Sequence, residues 1–346
     1  MKRPTVCVIF GGKSREYEVS LKSAYSILSN IDSEKYRVIR LGISREGKWY
    51  IFQGENEEIL KNSWESGNIT SVNPDINTGE LVLSGGERIR ADLFFPVMHG
   101  EYCEDGRLQG LFEMWGVKYV GCDSFSSHTG MDKALTKLVA RSLGIPVAPD
   151  IILRSREDRD WENLIKQSEK LGYPLFVKAS MGGSSVGVYL VKEKEELLPA
   201  IQKAFEHSPC VIIEKGITGR ETELAVMEVN GKILLSESGT VNHKSGFYDY
   251  AAKYESDCVE YEIPAGISEK AKKQIRDYGK NLFLALGCVG LSRIDFFVTD
   301  EDKVIFNEIN TMPGFTEISM FPKLFMNEGM SLRQIIDHLI DNVLKN

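Results

Sequence analysis

The apolar positions are grouped rather than evenly spread. "TVCVIFGG" is an unbroken apolar run closed by Gly-Gly, which predicts a buried strand. "SLKSAYSILSNI" then carries apolar residues at helical spacing, and "YRVIRLGIS" reads as a second strand. This β-α-β opening predicts an open parallel sheet. "DLFFPVMHG" adds a strand ending in a glycine loop, and "GRLQGLFEMWG" a helix closed by Gly116. A first α/β unit thus spans residues 1–121. "MDKALTKLVARSLG" predicts a helix with Gly144 at its C-cap, after which "IPVAP" reads as a linker. "WENLIKQSEKLG" and "KEELLPAIQKAFEH" predict helices, and "PLFVKAS", "VGVYLV" and "CVIIEK" predict strands. They make a small α+β unit over 122–213. The remainder, 214–346, holds strands around 221–241, an aromatic-rich polar stretch at 243–258, a helix at 268–286 and a closing helix at 331–344.

Between those last helices lies "DFFVTDEDKVIFNEINTMPG", two strand-like runs joined by "TDEDK", which predicts a β-hairpin. A turn centred between Glu301 and Asp302 sets Asp295 opposite Glu308. Alternation along a strand puts Glu308 and Asn310 on one face, and Arg293 and Asp295 likewise. Crowded carboxylates repel unless something cationic sits among them. Oxygen donors without His or Cys suit a hard ion, Mg²⁺ or Mn²⁺. A solvated hairpin would carry similar residues, but the Pro-Gly stop directly after the polar trio suggests backbone exposed to a ligand.

Other stretches carry candidate chemistry. In "KASMGGSSVGV", Lys178 ends a strand and a glycine-rich loop follows, with Gly183, Ser184 and Ser185 at its centre. Such a loop can lay backbone N–H groups over phosphates. It lacks the Gly-Lys-Ser/Thr ending of a P-loop, and an ordinary turn would read the same. Lys178 and Lys133 offer cations for phosphate oxygens. Glu214 and Lys215 at a strand end, with Glu221 beyond, could bind a base and a ribose, or could form an exposed loop. Glu16 and His99 follow the first and a later strand, where open α/β sheets bind ligands. Glu16 could hold an ammonium group or simply cap a helix. "SGFYDYAAKY", with Lys253 and Tyr254, has the aromatic, polar-tipped composition of a lid, or of a strand pair with core aromatics.

Composition narrows the classes. The chain has 346 residues, enough for two or three domains of roughly 100–200 residues each. Its net charge of −8 argues against a nucleic-acid partner, which needs a basic stripe. No apolar run reaches the ~20 residues of a membrane span, and the apolar run after the first residues is too short for a signal peptide. Six scattered cysteines without a CxxC pair read as reduced thiols in a cytoplasmic protein.

Taken together, "FGGKSREYEVSLKSA", "HGEYCEDGRLQGLFE", "GCDSFSSHTGMDK", "GGSSVGV", "FYDYAAKY", "LSRIDFF" and "NEINTMPGFTEISMFPKL", in this order, resemble the D-alanine–D-alanine ligases of the ATP-grasp superfamily. The resemblance spans nearly the whole chain. It implies a three-domain ATP-grasp fold of α/β and α+β units, with ATP between the central and C-terminal domains. The implied reaction phosphorylates the carboxylate of one D-alanine, which the amine of a second D-alanine then attacks, for peptidoglycan precursor synthesis. On the matching positions, Asp295, Glu308 and Asn310 would hold two Mg²⁺ (or Mn²⁺) ions. Lys133, Lys178, Gly183 and Ser185 would steady phosphates, Glu214 and Lys215 would meet adenine, and Glu221 the ribose. Glu16 would take the first ammonium, with His99 beside it. Arg293 and the Gly314 N–H would form an oxyanion hole. Lys253 and Ser319 would clasp the second carboxylate, and Tyr254, Ser184 and Glu16 would tie the lid to the phosphate loop. A homodimer is implied as well.

The chain departs from the family pattern at three places. Ala179 follows Lys178 where Pro is usual, Met181-Gly182-Gly183 leads into the loop, and Cys103 replaces a usual Gly. The alternative acceptors are D-serine and D-lactate. Relatives using them often carry Arg after the serine of "FTEIS", where Met320 stands here, and D-lactate users change the lid pattern. Other ATP-grasp ligases and a degenerate nucleotide-binding regulator are the remaining readings; the Glu16 region and the retained Lys178, Arg293, Asp295, Glu308 and Asn310 count against them.

Overall fold

A computed structural model describes residues 3–154, 160–183, 186–243 and 259–345. Its strands form three sheets. In the first, β1 (Thr5–Gly11) lies between β2 (Arg37–Ile43) and β7 (Leu93–Pro96), parallel to both. Every residue of β1 is buried, as the unbroken apolar run requires, because helices cover both faces. Helix α1 (Tyr17–Asn30) packs on one side, and α3 (Arg107–Trp115) brings Phe112 and Trp115 to the other.

The expectation of a parallel sheet holds only at this centre. Strands β3 (Trp49–Phe52), β4 (Ile69–Asp75), β5 (Glu80–Leu83) and β6 (Arg88–Ile89) extend it antiparallel beyond β2, so the sheet is mixed. Short, half-exposed strands joined by turns need no crossover helix, and their interrupted apolar pattern hides them in sequence.

The second sheet runs in the order β10 (Val188–Val191), β9 (Leu175–Ala179), β11 (Cys210–Lys215), β8 (Asp150–Arg154). Strand β8 begins directly after "IPVAP", where the sequence reading assigned no strand. One face of this sheet buries Val177, Val211 and Ile213 against α6 (Trp161–Leu171) and α7 (Lys194–Phe205). The register sets Glu214 beside both Phe176 and Asp150, so Lys178, Glu214 and Asp150 share the opposite face. Helix α5 (Lys133–Ser142) touches that face, following α4 (Ser124–Met131).

The third sheet is built around β12 (Arg220–Val229), β16 (Leu291–Val298) and β17 (Val304–Asn310), with β14 (Gly239–His243) and β15 (Val259–Glu262) on one side and β13 (Lys232–Leu235) paired to β12. Its Leu224, Ile294, Phe296 and Phe306 face α8 (Glu269–Ala285) and bury an apolar core. The alternate positions, Glu221, Glu223, Arg293, Asp295 and Glu308, form the other, polar face. Helices α9 (Met320–Asn327) and α10 (Leu332–Lys345) pack Phe321, Leu324, Ile336 and Ile340 into the core beneath α1. Among the described residues no helix is long and apolar enough to cross a membrane.

Candidate active site

The β16–β17 hairpin places its polar trio as the sequence pattern requires, by a route the pattern did not reveal. Asp295 is opposite Glu308 and Arg293 opposite Asn310. Nearer the turn, Phe296 pairs with Phe306, so Asn307 is an inserted bulge residue. The turn therefore centres on Glu301, and the bulge restores the register at the acids. Arg293 clamps Asp295 with two parallel bonds, Nε to Oδ1 and Nη2 to Oδ2, both 2.8 Å. It also reaches Glu223 on β12 at 3.0 Å. Burial disfavours the Arg293 charge, but Asp295 and Glu223 outweigh it and raise its pKa well above the ordinary value. The guanidinium is thus a fixed cation, its fork held in plane by carboxylates.

Lys133 stands at the start of α5, where Asp132 caps the helix by accepting from the N–H groups of Ala134 and Leu135. The Lys133 Nζ donates to the carbonyl of Gly182 at 2.7 Å and lies 3.3 Å from Glu308. One side chain thus joins the glycine loop to the hairpin. Lys178 pairs with Glu214, whose second oxygen is taken by Lys137; Lys137 also reaches Asp150 at 3.4 Å, and Asp150 pairs with Arg141. Charges alternate along this chain, from the exposed Arg141 to the half-buried Lys178. Burial alone would raise the Glu214 pKa, but Lys178 and Lys137 pull it down to about 2. Burial likewise opposes the charge on Lys178, and Glu214 more than offsets it, so that pKa is raised.

This depressed carboxyl has a consequence for acid stability. Its contribution is complete above the ordinary pKa of 4.5 and is lost as pH falls toward about 2. Denaturant titrations of the wild type between about pH 4.5 and 3 should show a slope up to about 1.4 kcal/mol per pH unit steeper than those of Glu214→Gln. Equal slopes would mean that the carboxyl is not held by the two lysines.

On the first sheet, Glu16 follows β1 at the N-cap of α1, but its side chain makes no capping bond. It turns instead toward the loop after β7. A Cβ added to Gly100 would lie 2.4 Å from Glu16 Oε2, so only glycine admits the carboxylate there. His99 is buried; its Nε2 is 3.0 Å from Ser23 Oγ and its Nδ1 3.4 Å from Glu104. Burial favours the neutral ring, but Glu104, with Glu16 beyond it, raises the His99 pKa. Burial and Glu16 raise the Glu104 pKa too, so the pair holds tightly to a proton. Ser23 also accepts from the N–H of Phe315 at 3.2 Å, joining α1 to the segment after the hairpin. There a Cβ on Gly314 would meet Ser319 Oγ at 2.7 Å, and Ser319 Oγ accepts from the Thr316 N–H at 3.0 Å.

These groups line two adjoining cavities. The smaller, about 160 Å³, is walled by Glu16, His99, Asn310, Gly314, Ser319 and Met320. The larger, about 530 Å³, is walled by Lys178, Glu214, Lys215, Glu221 and Asp295. Arg293, Glu308, Lys133 and Gly183 belong to both walls. Ser184, Ser185, Lys253 and Tyr254 lie outside the described residues. Sequence reading missed Lys137, Glu104 and Glu223. A signal existed for two of them: Lys137 is four residues after Lys133 on one helix face, and Glu223 two after Glu221 on one strand face.

The donor set fits a hard divalent ion. Among the described residues no cluster of three or more His, Cys, Asp or Glu is arranged for a metal. Asp295, Glu308 and Asn310 supply two carboxylates and an amide oxygen, and Mg²⁺ commonly binds one or two carboxylates plus substrate phosphates.

A small chamber and a larger one thus adjoin across a wall that carries Arg293, Lys133 and Glu308. Profiles described as the N-terminus and the C-terminus of D-ala D-ala ligase match residues 5–122 and 139–341. A D-alanine–D-alanine ligase of Mycolicibacterium gilvum is 40% identical over 361 residues, covering 99% of this chain and 97% of that protein. The crystal structure of the VanG D-Ala:D-Ser ligase of Enterococcus faecalis superposes with a TM-score of 0.89 at 39% identity, covering 98% of this chain and 99% of that one. That of a Bacillus anthracis D-alanine–D-alanine ligase complexed with ATP gives 0.74 at 28%, covering 100% and 98%. The chain belongs to the D-alanine–D-alanine ligase family and is an ATP-dependent ligase.

Proposed function

We propose that this chain uses ATP to activate the carboxyl group of one D-alanine and joins it to the amine of a second, yielding D-alanyl-D-alanine, ADP and phosphate. The shared wall of the two cavities carries the reading, because a phosphoryl group must cross from one to the other. In the larger chamber Lys133, Lys178 and the loop at Gly183 and Ser185 hold phosphates, Glu214 and Lys215 meet the base, and Glu221 the ribose. In the smaller, Glu16 neutralises the ammonium of the first D-alanine, and the His99–Glu104 pair fixes that end of the chamber. Asp295, Glu308 and Asn310 would hold two Mg²⁺ or Mn²⁺ ions. When bound, such ions neutralise phosphate charge during transfer.

The first carboxylate attacks the terminal phosphorus of ATP, forming an acyl phosphate and ADP. The second amine, having lost a proton, adds to the acyl carbon, and the C–O bond to phosphate breaks as the tetrahedral centre collapses. Arg293 and the Gly314 N–H stabilise the oxyanion of that centre. Ser319 and Lys253 hold the second carboxylate beside Met320. Tyr254, Ser184 and Glu16 close the lid and exclude water from the acyl phosphate. The approach of Glu16 to Gly183 supports that last link: a Cβ there would stand 3.5 Å from the Glu16 carboxylate.

The organisation we assign is an N-terminal substrate domain (1–121), a central domain with the phosphate loop (122–213) and a C-terminal domain with the metal and oxyanion groups (214–346), in a cytoplasmic homodimer. The likeness to VanG favours D-alanine–D-serine ligation as the second reading. Phosphate release with ATP and Mg²⁺ tests both. D-alanine should support it, L-alanine should not, and a D-alanine/D-serine competition run at several pH values should yield mostly D-alanyl-D-alanine by mass spectrometry. Predominant D-alanyl-D-serine would select the second reading; no release with either would leave a nucleotide binder.

A further inference from the structure

On the face of the N-terminal sheet that packs against α3, the buried cluster takes one of its described residues from the far end of the chain. Every other described member of the cluster around Cys7, Phe94 and Phe112 lies at or before residue 119, yet Met312, 5% exposed, is packed among them. Met312 follows directly on the polar hairpin. Its Sδ lies 3.3 Å from the thiol of Cys103, which is fully buried in the His99 loop. A thioether is a weak acceptor and a thiol a weak donor, so this contact is an S–H···S bond.

Both partners are connected to groups of the smaller chamber. The Met312 N–H donates to Asn310 Oδ1 at 3.0 Å, fixing the direction of that amide oxygen. The Met312 backbone also lies close enough to the His99 ring to help raise its pKa, after Glu104 and Glu16. Cys103 is itself held from behind, since buried Gln109 donates from Nε2 to its carbonyl at 2.7 Å. The thiol is therefore a fixed point against which Met312 is set.

We propose that Cys103 is a positioning residue for the ligase reaction. Its thiol anchors Met312, and Met312 in turn sets Asn310 and His99 on two walls of the smaller chamber. The inference rests on the amino-acid role given above to that chamber. A glycine at position 103 would present no sulfur to Met312, leaving the side chain of the plug held by apolar packing. An ordinary buried cysteine would fill space and transmit nothing to the chamber.

The test uses Cys103→Ala, which keeps the Cβ, together with Cys103→Gly and the volume-conserving Met312→Leu. Anchoring predicts a KM for D-alanine raised about tenfold in Cys103→Ala, below the ~10²-fold cost of a full 1 Å misplacement, with the KM for ATP unchanged. Binding of Mn²⁺ in the presence of ADP, followed by electron paramagnetic resonance, should weaken. Amide hydrogen exchange should quicken over 311–315 in all three variants and stay as in the wild type over β9 and β11. Wild-type D-alanine KM and exchange in Cys103→Ala would overturn the proposal. So would equal losses toward ATP and D-alanine, which mark general loosening. Exchange and Mn²⁺ binding do not require turnover, so they judge the anchor even if the wild type makes no dipeptide.

Discussion

Replacing Arg293 with alanine should lower D-alanine-dependent phosphate release by at least ~10²–10³-fold, the usual cost of removing one oxyanion donor. In the proposed role the guanidinium would meet charge that develops only during reaction, so the loss should fall on kcat more than on the KM for ATP. The substitution also leaves Asp295 and Glu223 without the cation they share, so the melting temperature should fall. The apolar underside of the sheet, Ile294 and Phe296 against α8, is untouched, and the circular dichroism spectrum should remain that of a folded protein. Arg293→Lys should restore the stability in part and the rate hardly at all, because an ammonium cannot reproduce the planar fork on Asp295. Wild-type turnover in Arg293→Ala would remove Arg293 from the mechanism.

Glu308→Gln should cost on the order of 10³-fold in turnover, since the charge stabilisation a metal provides is worth several kcal/mol. Glu308 stands opposite Asp295 and within 3.3 Å of Lys133, at the partition between the chambers. Neutralising it removes one of two carboxylates available to the ion. Excess Mg²⁺ should recover part of the rate, and Mn²⁺ binding in the presence of ATP should weaken in parallel. Unchanged Mn²⁺ affinity would show that the ion is held elsewhere.

The hairpin illustrates what the sequence reveals and what it hides. Alternation put Glu308 and Asn310 on one face, because side-chain period is a local property of strands, whereas the pairing of Asp295 with Glu308 came from an assumed turn centre. The bulge at Asn307 was invisible: an inserted residue leaves no mark on an apolar-polar pattern already rich in polar groups. The first sheet shows the same limit. The double-sided burial of β1 is written in an unbroken apolar run, whereas β3 to β6 are short and half-exposed. Strand β8 hid behind "IPVAP" because proline marks where a helix stops, not where the next strand begins. The chain of Arg141, Asp150, Lys137, Glu214 and Lys178 joins four elements, α5, β8, β9 and β11, and no spacing rule connects residues so far apart. Met312 was legible as part of "NTMPG" but not as a plug, since its destination is the core of another unit.

The partition between the chambers bears on inhibitor design. Drug-sized sites commonly enclose ~300–1,000 Å³. At about 160 Å³ the smaller chamber falls below that range, and at about 530 Å³ the larger falls within it. A compound confined to the first has too few atoms to bind tightly, and one confined to the second must compete with every other nucleotide pocket for selectivity. A short tether past Arg293 and Glu308 would let one molecule draw affinity from the larger space and discrimination from the smaller, its second contact made at the high local concentration that linkage provides.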